Sequence, residues 1–432
     1  MCLPPENRFA RHGRLRVSAG RTHLEHADGT PFFYLADTAW NGPLLSSDGD
    51  WQTYLADRVA KGFTAIQFIT HAPWSAALTD LEGQTAWTDD PKSPINEAFF
   101  DRIDRRIAEI NAAGLLAVPV LAWAANFGAS ARLNVGHTAH ADELIPLLRY
   151  QLDRFAGHHC LYFLAGDAHY TWWRSRKWKR VARALFTHPS SLTPHPPLVT
   201  LHPAGLTWPY AHFKDEPWLD LYAYQSSHSE DTRTLSWLHA GPPATYWKHH
   251  PRPTINVEPV YADILGRDGP FTADAVRRAA YASLLNAPTA GVAYGAHGLW
   301  GWHDRPMEAL NHNGLGVGQP WHAAMNLPGS RHMQHLAALM TSIDWWTLRP
   351  DPALITRQPE GPHRASAARS ATGDLALIYL PVGGPVTLNS TSLQTTLSAT
   401  WFNPRTGERT PATPDQNTFH PPAQGDWLLL LE

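Results

Sequence analysis

Two cysteines, Cys2 and Cys160, are all that 432 residues contain. So few exclude a disulfide framework and a cysteine-based zinc site. Charge is scarce too: 17% of residues are Asp, Glu, Lys or Arg, and they nearly cancel to a net −3. A chain so balanced offers no field for nucleic acid or for an anionic membrane. No apolar run approaches the ~18–20 residues that span a bilayer. The stretch "MCLPPENRFARHGR" lacks the apolar segment of a signal peptide, so the expectation is a cytoplasmic protein.

What is abundant is aromatic. The chain carries 19 Trp and 25 His. An indole presents a broad apolar face and one N–H donor. Many of them in a lightly charged chain suit a sugar-stacking cleft, or equally a large Trp-packed core.

Eight β-rich runs recur, at 32–40, 63–74, 115–123, 160–167, 198–203, 219–228, 254–261 and 291–300. Most are continuously apolar, as strands covered on both faces are. Helical patterns at 48–62, 96–114, 141–158 and 272–288 fall between them, the first two ending at Gly and the last opening at a candidate N-cap, Thr272. The interval between the fifth and sixth runs is short and not clearly helical. The pattern predicts an α/β fold, a (β/α)8 TIM barrel. A doubly wound sheet is the runner-up, but "ADTAWNG" after the first run is no phosphate-binding turn. From about residue 346 the helical period gives way to short strands with turn chemistry. Two units are expected: 1–345, a barrel with a short N-terminal β extension, and 346–432, a small antiparallel β-sandwich.

In such a barrel the active site lies at the C-terminal ends of the strands. The predicted strands end in Asp37 and Trp40; His71 and Trp74; Trp123; Asp167; His202; Gln225 and His228; Glu258; and Tyr294, His297, Trp300 and Trp302. Glu258 is the sharpest of these. A charge in the apolar run "TINVEPVY" costs several kcal/mol unless something pairs with it. With Asp167 it could form a proton-bearing acid and an ionised nucleophile, the pair that glycoside hydrolysis needs. Asp167 could instead cap a helix, and Glu258 could sit in a buried ion pair. The other polar and aromatic residues are candidates for substrate binding, against a bland reading as core or turn residues. A metal-dependent barrel hydrolase would place His-x-His at the end of the first strand; "ADTAW" stands there. No metal or cofactor is expected.

These residues resemble the apiosidase-like glycoside hydrolases, the family 140 group. The likeness runs through "DGTPFFYLADTAW", "FFDRIDRRIAEINAAGL", "FLAGD", "DEPWLDLYAYQSSH", "VEPVY", "GLWGW" and "WFNPRTGE". It implies a barrel followed by a β-sandwich sometimes labelled a collagen-binding domain. It also implies that Asp167 is the acid/base and Glu258 the nucleophile. Departures stand beside both: Ala165-Gly166-Asp167-Ala168-His169 replaces the family's Gly-Gly-Asp-Arg-Asn, and Val257 precedes Glu258 where Gly is usual. Val257 therefore points to a sugar other than the family's usual one.

The expected function is a retaining exo-glycosidase that removes a terminal sugar, a furanosyl pentose such as apiose or arabinose, from a glycan or glycoside. The two carboxyls should then lie ~5–5.5 Å apart. The alternatives are a carbohydrate-binding barrel without catalysis and a transglycosylase using the same pair. The partner is carbohydrate, with no nucleic acid and no membrane.

Overall fold

The computed structural model describes residues 7–72, 79–88, 94–126, 131–186, 196–310, 312, 314–359, 361–389, 391, 393–394 and 397–432. All eight β-rich runs carry a strand of one parallel sheet: β1 (Tyr34–Thr38), β2 (Ala65–Ile69), β3 (Leu116–Val120), β4 (Leu161–Phe163), β5 (Leu198–Thr200), β6 (Tyr222–Gln225), β7 (Thr254–Glu258) and β8 (Gly291–Tyr294). The strand order is β5-β4-β3-β2-β1-β8-β7-β6. The ring is completed between β5 and β6 by sparse bonds: Asp220 N–H donates to the Val199 carbonyl at 3.0 Å, and Leu206 N–H to the Gln225 carbonyl at 3.0 Å. That seam is where the crossover is short. It holds only a 3-10 turn at Pro209–His212.

Helices cover the other crossovers: α1 (Asp48–Ala60), α2 (Glu97–Ala112), α3 (Ala141–Phe155), α4 (Trp173–Phe186), α5 (Thr232–Ala240) and α6 (Ala273–Asn286), with α7 (Pro328–Thr341) after β8. Thr272 precedes α6 with extended backbone but makes no side-chain cap bond. The continuous apolar runs follow from burial on both faces. Tyr34, Ala36, Val118, Val120, Phe163, Ile255, Val257 and Ala293 fill the barrel interior. Leu35, Ile66, Phe68, Ala117, Val292 and Tyr294 face the helices. Each Val, Leu, Ile or Phe among them stabilises the fold by about 1.5–3 kcal/mol. No helix among the described residues is long and apolar enough to cross a membrane.

A three-stranded antiparallel sheet (Leu15–Val17, Leu24–His26, Pro31–Phe32) precedes the barrel. After α7 comes a six-stranded antiparallel sheet, with Ala376–Leu380 and Trp427–Leu431 at its centre, backed by a two-stranded one at Val386–Thr387 and Thr418–Phe419. Its central strands are buried on both faces. Leu377, Tyr379, Leu428 and Leu430 join the barrel's outer core, while Ile378, Leu380, Leu429 and Leu431 pack within the module. A buried ion pair holds the two parts together: Arg277 Nε of α6 lies 2.7 Å from Asp426 Oδ2, which also accepts from the Tyr379 hydroxyl at 3.0 Å.

Candidate active site

Glu258 reaches the mouth of the barrel through a break in the register of β7. Asn256 lies opposite Tyr224, yet Glu258 lies opposite Gln225, so Val257 is an extra residue, a β-bulge. Strict alternation would send Glu258 outward with Asn256. The bulge turns it inward. Asn256 fixes the distortion: its Oδ1 accepts the Glu258 N–H at 3.3 Å, and its Nδ2 donates to Ser226 Oγ and Ser283 Oγ, both at 2.9 Å.

Two imidazoles clamp the Glu258 carboxylate. His202 Nε2, from beyond β5, stands 3.1 Å from Oε2, and His228 Nε2, from beyond β6, stands 3.1 Å from Oε1. His228 Nδ1 faces the Pro259 carbonyl at 3.0 Å, and the Tyr261 ring packs 4.5 Å from its own. The Asp167 N–H donates to His202 Nδ1 at 3.2 Å. That nitrogen therefore keeps its lone pair, which assigns the His202 proton to Nε2, facing Glu258. One imidazole thus links the backbone of Asp167 to the side chain of Glu258.

The two carboxyls are driven apart electrically. Burial pushes Asp167 up, the Glu258 charge pushes it further, and it reaches about 7. Burial would raise Glu258 as well, but hydrogen bonding and attraction from His202 and His228 outweigh it and hold that carboxyl at about 2. Asp167 has a left-handed backbone, φ 50°. A non-Gly residue held there marks a constrained turn. Gly166 beside it leaves room for Trp123, whose ring a Cβ would strike.

Both carboxylates line a cavity of about 300 Å³, with Trp40, Trp123, Trp300, Gln225 and His228 around them. These are candidates the sequence identified. His71 and His202 stand behind the wall: His71 Nε2 accepts the Trp123 N–H at 3.2 Å, and burial takes its ring down to about 4. His297 also lies behind, stacked on Trp300 with ring centroids 6.0 Å apart. Trp74 falls outside the described residues.

Other expectations need correction. Asp37 is not in the cleft. It points to the outer face, where Tyr54 donates to it at 2.6 Å and Arg58 Nη1 lies 3.3 Å away. Tyr294, its partner in register, points the same way into the outer core. Trp302 lies beyond β8 with a left-handed φ of 55° and stacks on Trp321 at 4.7 Å, away from the cavity. Val257 is fully buried in the barrel interior and does not line the cavity, so its side chain cannot select the sugar by contact.

Sequence reasoning missed His169, Ser227, Tyr261, Ile264, His312 and Leu315 in the cavity wall. Tyr261 closes the same "VEPVY" run as Glu258 and was findable by position. His312 and Leu315 come from the connection after β8, where no periodicity marks them. Among the described residues no group of three or more His, Cys, Asp or Glu side chains is gathered to hold a metal ion.

The chain matches the family described as "Apiosidase-like, catalytic domain" over residues 18–347, and the one described as "Putative collagen-binding domain of a collagenase" over residues 350–432. No curated protein matches it. Among solved structures it is similar to a glycoside hydrolase family 5 protein from Bacteroides vulgatus ATCC 8482, with 23% identity and a TM-score of 0.84 over 98% of this chain and 93% of that one. A second structure, described as a glycoside hydrolase, gives 23% identity and a TM-score of 0.83 over 98% and 97%. An endo-1,4-beta-D-mannanase from Thermotoga petrophila RKU-1 gives 12% identity and a TM-score of 0.50 over 71% and 100%. At these identities the likeness speaks for the fold.

Proposed function

The chain belongs to the apiosidase-like glycoside hydrolase family and is a glycoside hydrolase, and from that premise we propose that it is a retaining exo-enzyme that releases a terminal furanosyl pentose such as apiose or arabinose. Asp167 protonates the leaving oxygen while Glu258 attacks the anomeric carbon. Asp167, now a carboxylate, then takes a proton from the water that releases the sugar.

One observation carries this reading: two carboxyls share a cavity in environments that push them to opposite protonation states, Asp167 up to about 7 and Glu258 down to about 2. An acid and an ionised nucleophile are the two states the first step requires. A carbohydrate-binding barrel would have no use for so costly a pair. The cavity is small, about 300 Å³, at the low end for ligand sites, and suits one sugar ring better than a threaded chain. Gln225 Oε1 and Trp300 Nε1, both in its wall, are buried without a protein partner, an acceptor and a donor for sugar hydroxyls.

The test is a panel of aryl pentofuranosides and pyranosides, with the anomer of the first-formed sugar read by NMR. Retention is expected, with a carboxyl separation of ~5–5.5 Å. First-formed sugar of inverted configuration would overturn the double displacement. Cleavage of internal bonds would overturn exo action.

A further inference from the structure

We propose that Trp172 and Trp173 form a second carbohydrate-binding site, a stacking shelf that holds the leaving-group side of a saccharide substrate outside the cavity. The inference rests on Asp167 as the acid, because that role makes its loop flank the departing sugar.

Of the large apolar side chains that stand out in solvent among the described residues, these two are the most exposed, at 82% for Trp172 and 66% for Trp173. Adjacent indoles in water lose apolar contact and gain nothing unless something covers them. Elsewhere on the same helix Trp178 is buried against Tyr170, so α4 has no need of two more indoles for its core. Trp172 is also held in the left-handed region, φ 54°, which a bulky side chain avoids. The turn is pinned in that state: Ser175 Oγ donates to the Trp172 carbonyl at 2.6 Å, and Arg174 N–H to Thr171 at 3.2 Å. A strained residue in a well-bonded turn points to a retained function.

Placement says which function. The pair follows Asp167 on the connection after β4, at the end of the barrel where the cavity opens. His169 lines that cavity and also a small recess of about 40 Å³ bordered by Trp173, so one side chain borders both. The acid delivers its proton to the glycosidic oxygen, so the departing group lies on the side of the cavity where Asp167 stands. A pyranose presents an apolar face of C–H bonds that packs on a flat indole. The Arg174 guanidinium lies over one face of the Trp173 ring, 5.0 Å from its centroid, so a sugar stacks on the opposite face.

Two measurements test the shelf. The first is binding to an array of neutral and uronic-acid-containing oligosaccharides. Wild type should bind at least one class. A double variant, Trp172→Gly with Trp173→Ala, should lose about tenfold or more. Glycine suits φ 54°, so folding is not at risk. Trp172→Tyr with Trp173→Phe, which keeps flat faces, should retain most of the binding. No binding by wild type, or equal binding by the double variant, overturns the proposal.

The second compares a pentofuranosyl fluoride with the same pentose carried on an oligosaccharide. The double variant should lose kcat/KM on the oligosaccharide and stay within about twofold on the fluoride, which has no sugar to place on the shelf. Equal losses on both overturn the proposal. If wild type cleaves neither while array binding depends on the two Trp, the furanosidase reading fails and the shelf stands.

Discussion

Asp37 and Glu258 are both carboxylates near the C-terminal ends of apolar parallel strands, and both are buried. They do opposite things. Asp37 follows strict alternation outward from β1 and meets Tyr54 and Arg58 of α1. Glu258 would follow the same rule outward, but the bulge at Val257 turns it into the mouth, between two histidines. A charge in a strand is thus an ambiguous signal. It reports that something pays for desolvation, and one extra residue decides whether that is a structural ion pair or a reaction site.

The comparison breaks most visibly at Glu258. Glu258→Gln removes the attacking oxygen while keeping the shape. We expect kcat to fall by about 10⁴-fold or more on any substrate the wild type cleaves, with Tm little changed. Activity within tenfold of wild type would remove Glu258 as nucleophile.

Asp167→Asn comes next. Loss of the acid should cost about 10²–10⁴-fold on glycosides with poor leaving groups, and less on those that need no proton. Its stability effect has a definite sign. Folding lifts this carboxyl from 3.8 to about 7. Between those values the folded chain holds a proton that the unfolded chain has released, so stability falls as pH rises through that window, and the cost is complete above it. The Asn variant escapes that cost. Its Tm should exceed the wild type's by more at pH 8 than at pH 5, and a gain that shrinks with pH would contradict the raised Asp167. Wild-type kcat/KM should fall about tenfold per unit above about 7, as the acid is lost.

Much of this was legible in the sequence, for physical reasons. The eight strands showed because burial on both faces makes them continuous apolar runs. Asp167, Glu258, Trp40, Trp123, Trp300, Gln225 and His228 showed because a barrel collects its chemistry at strand ends. Asp37 and Tyr294 were misread because the end of a strand has two faces, and parity is invisible without the register. Trp302 was misread because it lies beyond the strand, where a left-handed backbone carries it to Trp321. The bulge that rescues Glu258 leaves no mark in "TINVEPVY" beyond Asn256, an ordinary polar residue whose bonds to Ser226 and Ser283 exist only after folding.

Asp37→Asn tests the other arm of the comparison. Burial lifts the Asp37 carboxyl, while Arg58 and Tyr54 pull it back. Removing the charge leaves Arg58 buried beside Asp57 alone, its ring contacts to Tyr54 and Phe63 intact. Breaking a buried pair from one side costs about 3–5 kcal/mol. That loss should appear in chemical unfolding, while KM for the folded enzyme stays near wild type. A KM that rises with no loss of stability would return Asp37 to the cleft.

Val257→Ala carries the smallest effect and the sharpest distinction. The residue next to the nucleophile invites a role in choosing the sugar. Its side chain, however, is fully buried in the barrel interior, and its carbonyl accepts from Gln67 Nε2 at 2.9 Å. The bulge needs a residue at this position and makes little use of its methyl groups. Trimming them should cost about 1–3 kcal/mol of stability through the cavity left behind. The ratio of kcat/KM between any two pentosides should stay within about twofold. A changed ratio would mean that the bulge relaxes when the methyls go and re-aims Glu258. Selectivity would then be set by the backbone that presents the nucleophile, and the packing under the bulge would belong to the site itself.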